Sequence, residues 1–379
     1  MEHSPDHKIV LQSSGSSSFC LSIHAAYRCR HSGACCTAGW AIPVEGPAFE
    51  TIRVHFNAGS GDTASLFRTG GPLPDGAAAM LDVGRDGACV FFDSAGGRLC
   101  RIHRDLGPSS LPIACRQFPR VVLRDRRGTF ISLSHYCPTA AALLATPDRA
   151  TIVTAPPNLT VNGEAEGLDA RDALPPLLRP GLLMDLTGYD AWERRALAVL
   201  SDERLTAVTA IGTIDDASRR LQDWKPWRGT LADTVDREFA VAQPVEADED
   251  LTADAVRLAT VYASVPEDLR PSDLDGAIER SWATVAPWSP GVDRTVRSYL
   301  LARLFGNWIA YHGQGLHVIV EYLRACRAVL KNEMVREQAR MASRGSASTP
   351  WQTVTEAIRN SDLLLMHLSD PKDLAHRLG

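Results

Sequence analysis

The sequence predicts an α+β chain in which a small cysteine-rich metal-binding domain with two β-hairpins precedes a larger, mainly α-helical domain. Three observations carry this. Eight of the nine cysteines fall at positions 20, 29, 35, 36, 89, 100, 115 and 137, leaving only Cys326 for the rest. Runs of β-branched and aromatic residues around Gly- and Asp-containing turns lie in the same part. Past residue 290, apolar residues recur at helical spacing. With 379 residues, 45% hydrophobic and 22% charged, the chain can bury a sizeable core in two domains. The boundaries fall at 1–145 for the cysteine part, 146–178 for a linker and 179–379 for the helical part.

In chain order, a Ser-rich lead, "SSGSSS", enters the loop "CRHSGACCTAGW". In "WAIPVEGPAFETIRVHF", Pro43 and Pro47 bracket the start of a helix, and "TGGPLPDGAA" reads as a loop. "CVFF" and "LCRI" flank the turn "DSAGGR", and "VVLR" and "TFISLS" flank "DRRG", giving the two hairpins. The stretch 146–178 is dense in Pro, Gly, Asn and Asp and reads as loop. "VRSYLLARLFGNWIAYH" puts Val296, Leu300, Leu304 and Trp308 on one helical stripe. "LHVIVEYLRACRAVLKNEM" repeats it through Ile319, Leu323, Cys326 and Leu330, opposite Glu321, Arg324 and Lys331. Cys326 therefore reads as a packing residue, and a last helix is expected in "WQTVTEAIRNSDLLLMHL".

Charge and hydropathy exclude two partner classes. Residues 1–150 carry 15 basic against 12 acidic side chains and the remainder 25 against 33. The basic excess in "RLCRIHRDLG" and "CRQFPRVVLRDRRG" is too short and too broken by apolar residues for a nucleic-acid footprint. No window approaches the ~20 apolar residues a membrane span needs, and the start has no basic stretch followed by an apolar one. A cytoplasmic protein is the expectation.

In a reducing compartment, clustered thiols point to metal or catalysis before disulfides. Cys89 and Cys100 flank the first turn at nearly equal distances, as Cys115 and Cys137 flank the second, so each hairpin brings a pair together. If both open towards the 29–36 loop, seven thiols converge. Soft thiolates suit zinc or an iron-sulfur cluster, and either needs four, so seven imply two sites, an open coordination position, or some structural thiols. His31 and His103 could replace a sulfur. No C-x-x-C, Rossmann glycine fingerprint, P-loop, zincin motif or nucleophile elbow is present.

The succession "CRHSGACCTAGWAI", "CVFF...GRLCRIHRDLG", "LPIACRQFPR" and "SLSHYCP" resembles the bacterial cysteine-cluster (CxxCxxCC) family described as a zinc- or iron-chelating domain, nearest its flagellin lysine-N-methylase branch. "RSYLLARLFGNW" is similar to a helical segment in the C-terminal half of those methylases. The resemblance implies a cysteine-ligated centre, iron-sulfur or alternatively zinc. It also implies methyl transfer from S-adenosylmethionine to lysines of a protein substrate of the flagellin type. The positions it matches as ligands are Cys29, Cys35, Cys36, Cys89, Cys100, Cys115 and Cys137. Ser32 stands where the family pattern has its second cysteine, so the chain either uses one ligand fewer or fills that place from elsewhere, Cys20 or His31 being the candidates.

Arg116 and Arg120, flanking Phe118-Pro119, either hold a carboxylate of the donor or of an acidic substrate loop, which a guanidinium fork suits, or balance the charge of the thiolates. Trp40 reads as apolar cover for the metal or as a substrate platform. Tyr136, Asp105 and His103 lie beside the cysteines, with nothing to single out one as a base. Two other classes compete with the methyltransferase: a non-catalytic zinc- or iron-binding interaction module, and a thiol redox sensor.

Overall fold

The computed structural model describes residues 17–57, 66–68, 73–95, 97–146, 149–161, 165–244, 251–270, 289–345 and 349–379. Most of the Ser-rich lead, residues 69–72 of the expected loop, Gly96 in the first hairpin turn, Trp282 and Trp288 lie outside them.

A five-stranded sheet is the hub. It comprises β1 (Ser18–Leu21), β7 (Arg120–Asp125), β8 (Gly128–Leu133), β9 (Ile152–Thr154) and β10 (Leu168–Asp169) in the order β10-β7-β8-β1-β9. The second expected hairpin is β7–β8, paired in register from Arg120↔Leu133 to Asp125↔Gly128. β1 runs parallel to β8 and antiparallel to β9, and β10 runs parallel to β7. The segment 146–178 is thus no free linker. Its β-branched run Ile152-Val153-Thr154 closes one edge of the sheet and Leu168-Asp169 the other.

A smaller layer holds most of the cysteines. The strands β2 (Pro43–Glu45), β3 (Phe67–Arg68) and β4 (Ala77–Leu81) form a three-stranded sheet in the order β2-β4-β3, against which α2 (Gly46–Asn57) packs. The helix starts where Pro43 and Pro47 placed it. Part of the expected loop is therefore strand β4. The first hairpin is short: β5 (Phe92–Asp93) and β6 (Leu99–Cys100) pair Phe92 with Cys100, not Cys89. Val44, Ile52, Phe67, Leu81, Phe91 and Ile102 make a core of their own here.

The helical layer begins with α6 (Leu186–Leu200), α7 (Ala207–Leu221), α8 (Leu231–Val241) and α9 (Leu251–Ala263). It continues through α10 (Pro290–Leu304), α11 (Ile309–His312), α12 (Leu316–Ser343), α13 (Pro350–Asp362) and α14 (Pro371–Leu378). Side-chain caps from Asp185, Thr206, Thr230, Ser289 and Asp370 start five of them, and Thr349 with Gln352 forms a capping box at α13. The helix α12 is central, with Ile319, Leu323, Cys326 and Leu330 buried as expected. Lys331 on its expected polar face is buried too.

The stripe over 296–308 is broken. α10 stops at Leu304 because Gly306 takes a left-handed φ of 61°, and a Cβ there would sit 3.2 Å from that of Phe130. Trp308 is turned off the helix as a result. At the other end, α13 passes into a π-turn, Leu363–Leu368. No helix among the described residues is long and apolar enough to cross a membrane.

One core joins sheet and helices: Leu21, Leu123 and Phe130 cluster with Trp192, Tyr299 and Leu323. Arg127 rivets the same seam. Its guanidinium lies between the rings of Phe130 and Tyr189, 4.5 and 4.7 Å from their centroids, and pairs with Asp125 and Glu193 at 2.8 Å each. Sheet and helical half therefore do not separate at residue 179. Of the tryptophans in the helical half, Trp192 and Trp224 are buried, whereas Trp227 is 79% exposed and Trp351 38%.

Candidate functional site

Five of the seven predicted thiols come into one neighbourhood. The loop 29–40 tightens at Gly33, which has a left-handed φ of 78° and where a Cβ would come within 2.7 Å of the Phe92 ring. This presents Cys35 and Cys36 with their sulfurs 3.9 Å apart. The Cys89 amide donates to the Cys36 carbonyl at 2.7 Å, docking the first ribbon on the loop. Cys100 lies near enough for it and Cys36 to shift each other's acidity. Cys115, on α4 (Ile113–Gln117), completes the group and feels the charges of Cys89, Cys100 and Cys35.

Their acidities diverge. Cys36 holds its proton, its thiol raised by its neighbours Cys100 and Cys35 and then by burial. The Cys36 thiol lowers Cys35, and lowers Cys100 to about 6. Burial raises Cys89 to about 11 and Cys115 well above the ordinary range. All nine cysteines are free thiols. Among the described residues no three His, Cys, Asp or Glu side chains stand as a ready-made metal site. The donor chemistry of the five thiols fits a thiophilic ion, but their present spacing does not already enclose one.

Two predicted ligands go elsewhere. Cys137 begins α5 (Pro138–Leu143), beyond the end of the β7–β8 ribbon, and packs with Cys20, Ile131 and Leu133, 3.8 Å from the Tyr27 hydroxyl. The turn of α4 carries Cys115 the other way, so the second hairpin does not bring its flanking thiols together. Cys29 is exposed, 3.9 Å from the His31 ring. That ring packs against His103 at 5.5 Å. Cys20, buried in β1, is not available to replace the thiol missing at Ser32.

A cavity of about 440 Å³ lies between the thiols and the helices, the size range of a small-molecule site. Cys35, Trp40, Cys115, Phe118 and Arg120 line it from one side, and Arg303, Asn307, Trp308, Tyr322 and His367 from the other. Arg120 gives its Nη atoms to the carbonyls of Arg116, Gln117 and Asn158, and no carboxylate among the described residues pairs with it. Arg116 is exposed and takes no part in the lining, so the predicted pair divides.

The helical wall has residues that spacing did not reveal. Arg303, buried, donates to the Leu133 carbonyl at 2.8 Å and pairs with Asp362 at 3.2 Å. Asp362, fully buried, also accepts from the His135 amide at 2.5 Å and the Tyr299 hydroxyl at 3.2 Å. Behind it, the rings of His24 and His135 face each other, Nε2 to Nε2, at 3.1 Å. His367, on the π-turn, places Nε2 at 2.7 Å from the Ser134 hydroxyl. Its ring is exposed to the cavity though protein surrounds it, and burial followed by the Arg303 charge lowers it to about 4. The Trp40 ring lies 4.5 Å from it, centroid to centroid. π-Turns recur at functional sites, but a lone histidine in "LLLMHL" gave no signal.

No protein-family model matches the chain, and neither does any curated protein or solved structure, so the site stands on its own geometry.

Proposed function

We propose that the chain is a metal-dependent protein lysine N-methyltransferase that uses S-adenosylmethionine and acts on a substrate of the flagellin type. One observation carries the reading: Cys35 and Cys115, members of the thiol group, line the same cavity as Arg120 and His367. Cys35, Cys36, Cys89, Cys100 and Cys115 are the residues that would hold an iron-sulfur cluster or zinc. Such a centre, when bound, supplies a Lewis-acidic anchor for the donor.

The chain's own residues do the rest. Arg120, a cation with no carboxylate partner among the described residues, suits the donor's carboxylate. Trp40 and Phe118 offer ring faces to a sulfonium or ammonium group. His367, neutral at pH 7, can accept a hydrogen bond from the amine. In the transfer, the amine lone pair forms the N–C bond as the methyl C–S bond breaks. The electron pair returns to sulfur, which leaves as a thioether, and the proton lost by nitrogen goes to water. Holding the two reactants in line is the main contribution.

Anaerobic incubation with labelled S-adenosylmethionine and flagellin tests this. Label on lysine, lost in Cys35→Ala and kept in Cys326→Ala, supports it, and no label with the wild-type chain overturns it. A second reading, a non-catalytic metal-binding module, draws on the thiols not being pre-arranged around an ion. Tight zinc uptake with a rise in thermal stability, and no label transfer, would favour it.

A further inference from the structure

We infer that the corner of the cavity at Asn307, Trp308 and Ser369 is a subsite for an uncharged, acceptor-edged heterocycle, the purine of the methyl donor. This names where the donor's base lies and rests on the methyltransferase reading.

On the residues that line the cavity, five buried atoms have no partner among the described residues: Arg120 Nε, Arg303 Nε, Asn307 Nδ2, Trp308 Nε1 and Ser369 Oγ. The four nitrogens can only donate, so these side chains call for acceptors. Asn307 Oδ1 accepts from the Ile309 amide at 2.8 Å, which fixes the orientation of the side-chain amide and leaves Nδ2 as its unpartnered end. Asn307 and Ser369 are 6% and 7% exposed. Asn307 and Trp308 follow the left-handed Gly306 and precede α11, while Ser369 stands two residues before α14. Because α11 packs against α14, the three side chains come from one corner of the helical wall.

The corner is unsuited to a charge. Phe305, Ile309, Leu365 and Leu374 belong to the core of these helices and also line the cavity. A carboxylate there would meet apolar side chains and neutral N–H groups, with Arg303 already matched by Asp362. The other charged lining groups stand on the sheet side: Arg120 opens β7, and Glu166 bonds through its amide and carbonyl to the Gln117 side chain. A flat uncharged ring satisfies both the apolar surroundings and the donors. Adenine is such a ring. Its N1, N3 and N7 accept, and its one amine meets the Ser369 hydroxyl, which accepts as well as donates. Neighbouring atoms screen the unpartnered donors from water, so the ring gains them through a small shift of the 306–308 loop.

Equilibrium dialysis of the full reduced chain against labelled adenosine and its 1-, 3- and 7-deaza analogues tests this, since each analogue replaces one acceptor nitrogen by C–H. Adenosine should bind saturably, and at least one analogue about tenfold more weakly, the worth of one hydrogen bond. Trp308→Phe keeps an apolar ring and removes the N–H. Asn307→Asp keeps the oxygen that serves Ile309 and removes the amide donor. Each variant should bind adenosine about tenfold more weakly, and a deaza penalty should vanish in the variant that lacks its donor, which a merely structural loss would leave in place. Failure of adenosine to bind, equal binding of all four nucleosides, or penalties unchanged in both variants overturns the inference. The wild-type comparison decides even where a variant does not fold. Absence of methyl transfer by the wild type overturns the function instead, and the nucleoside series still decides the subsite.

Discussion

The thiol layer and the Asp362 network face each other across one cavity and are built on opposite rules. In the thiol layer, five thiols of divergent acidity crowd together, and the strands that carry Cys89 and Cys100 are two residues long or absent. In the helical wall, each oxygen of Asp362 has donors, and the residues that supply them come from α10 and the loop after β8. The first region can rearrange around a guest. The second is buried and held by hydrogen bonds and ion pairs, and so gives the cavity a fixed face. The thiols sit on the adaptable side together with Arg120, Trp40 and Phe118, and His367 faces them from the rigid side.

The sharpest break of this contrast is Asp362→Asn. It leaves Arg303 as a buried cation without its partner, and the loss should be about 3–5 kcal/mol by urea unfolding. Cys36→Ala in the adaptable layer should cost far less.

Acid should act on the rigid side next. Burial lowers His24 to about 3 and His135 well below its ordinary value, so both are neutral when folded. Unfolded, each takes up a proton near pH 6.5. The unfolded state thus binds more protons below that pH, and stability is full above about 6.5 and falls as pH drops towards the folded values. The expected slope is about 1.4 kcal/mol per pH unit for each ring. His367, lowered to about 4, adds to the same slope, so His24→Gln should cut it by roughly a third between pH 6.5 and 5.

On the adaptable side the same contrast appears as thiol reactivity. In metal-free reduced protein at pH 7, alkylation followed by mass spectrometry should label Cys100 at least about tenfold faster than Cys20 or Cys326. Burial raises Cys20 to about 11 and Cys326 to about 12, whereas the Cys36 thiol holds Cys100 at about 6. The smallest effect belongs to Trp227, remote from both regions and largely exposed. Trp227→Ala should change stability by no more than about 0.5 kcal/mol.

What the sequence made legible was local. The β7–β8 ribbon, α2 and α12 follow from turn residues, prolines and a 3.6-residue period, all properties of neighbouring residues. The gathering of Cys35, Cys36, Cys89 and Cys100 was also readable, because a tight glycine turn and a short ribbon bring them together. The divergence of Cys115 and Cys137 was not, since it depends on the single turn of α4 and on which core each thiol enters. β9 and β10 escaped because strands of two or three residues pair with partners far along the chain. His367 and Asp362 were hidden for the same reason: their partners, Ser134 and the His135 amide, lie more than two hundred residues away.

The π-turn over Leu363–Leu368 makes the cavity depend on a count. Successive side chains on an ordinary helix are spread by about 100°, so removing one residue between α13 and His367 would swing the imidazole off Ser134 and away from Trp40. Composition would hardly change, and the wall would lose its imidazole. Insertions and deletions in these six positions should therefore matter more than most replacements there, which makes the length of that short stretch a heritable setting for what the pocket admits.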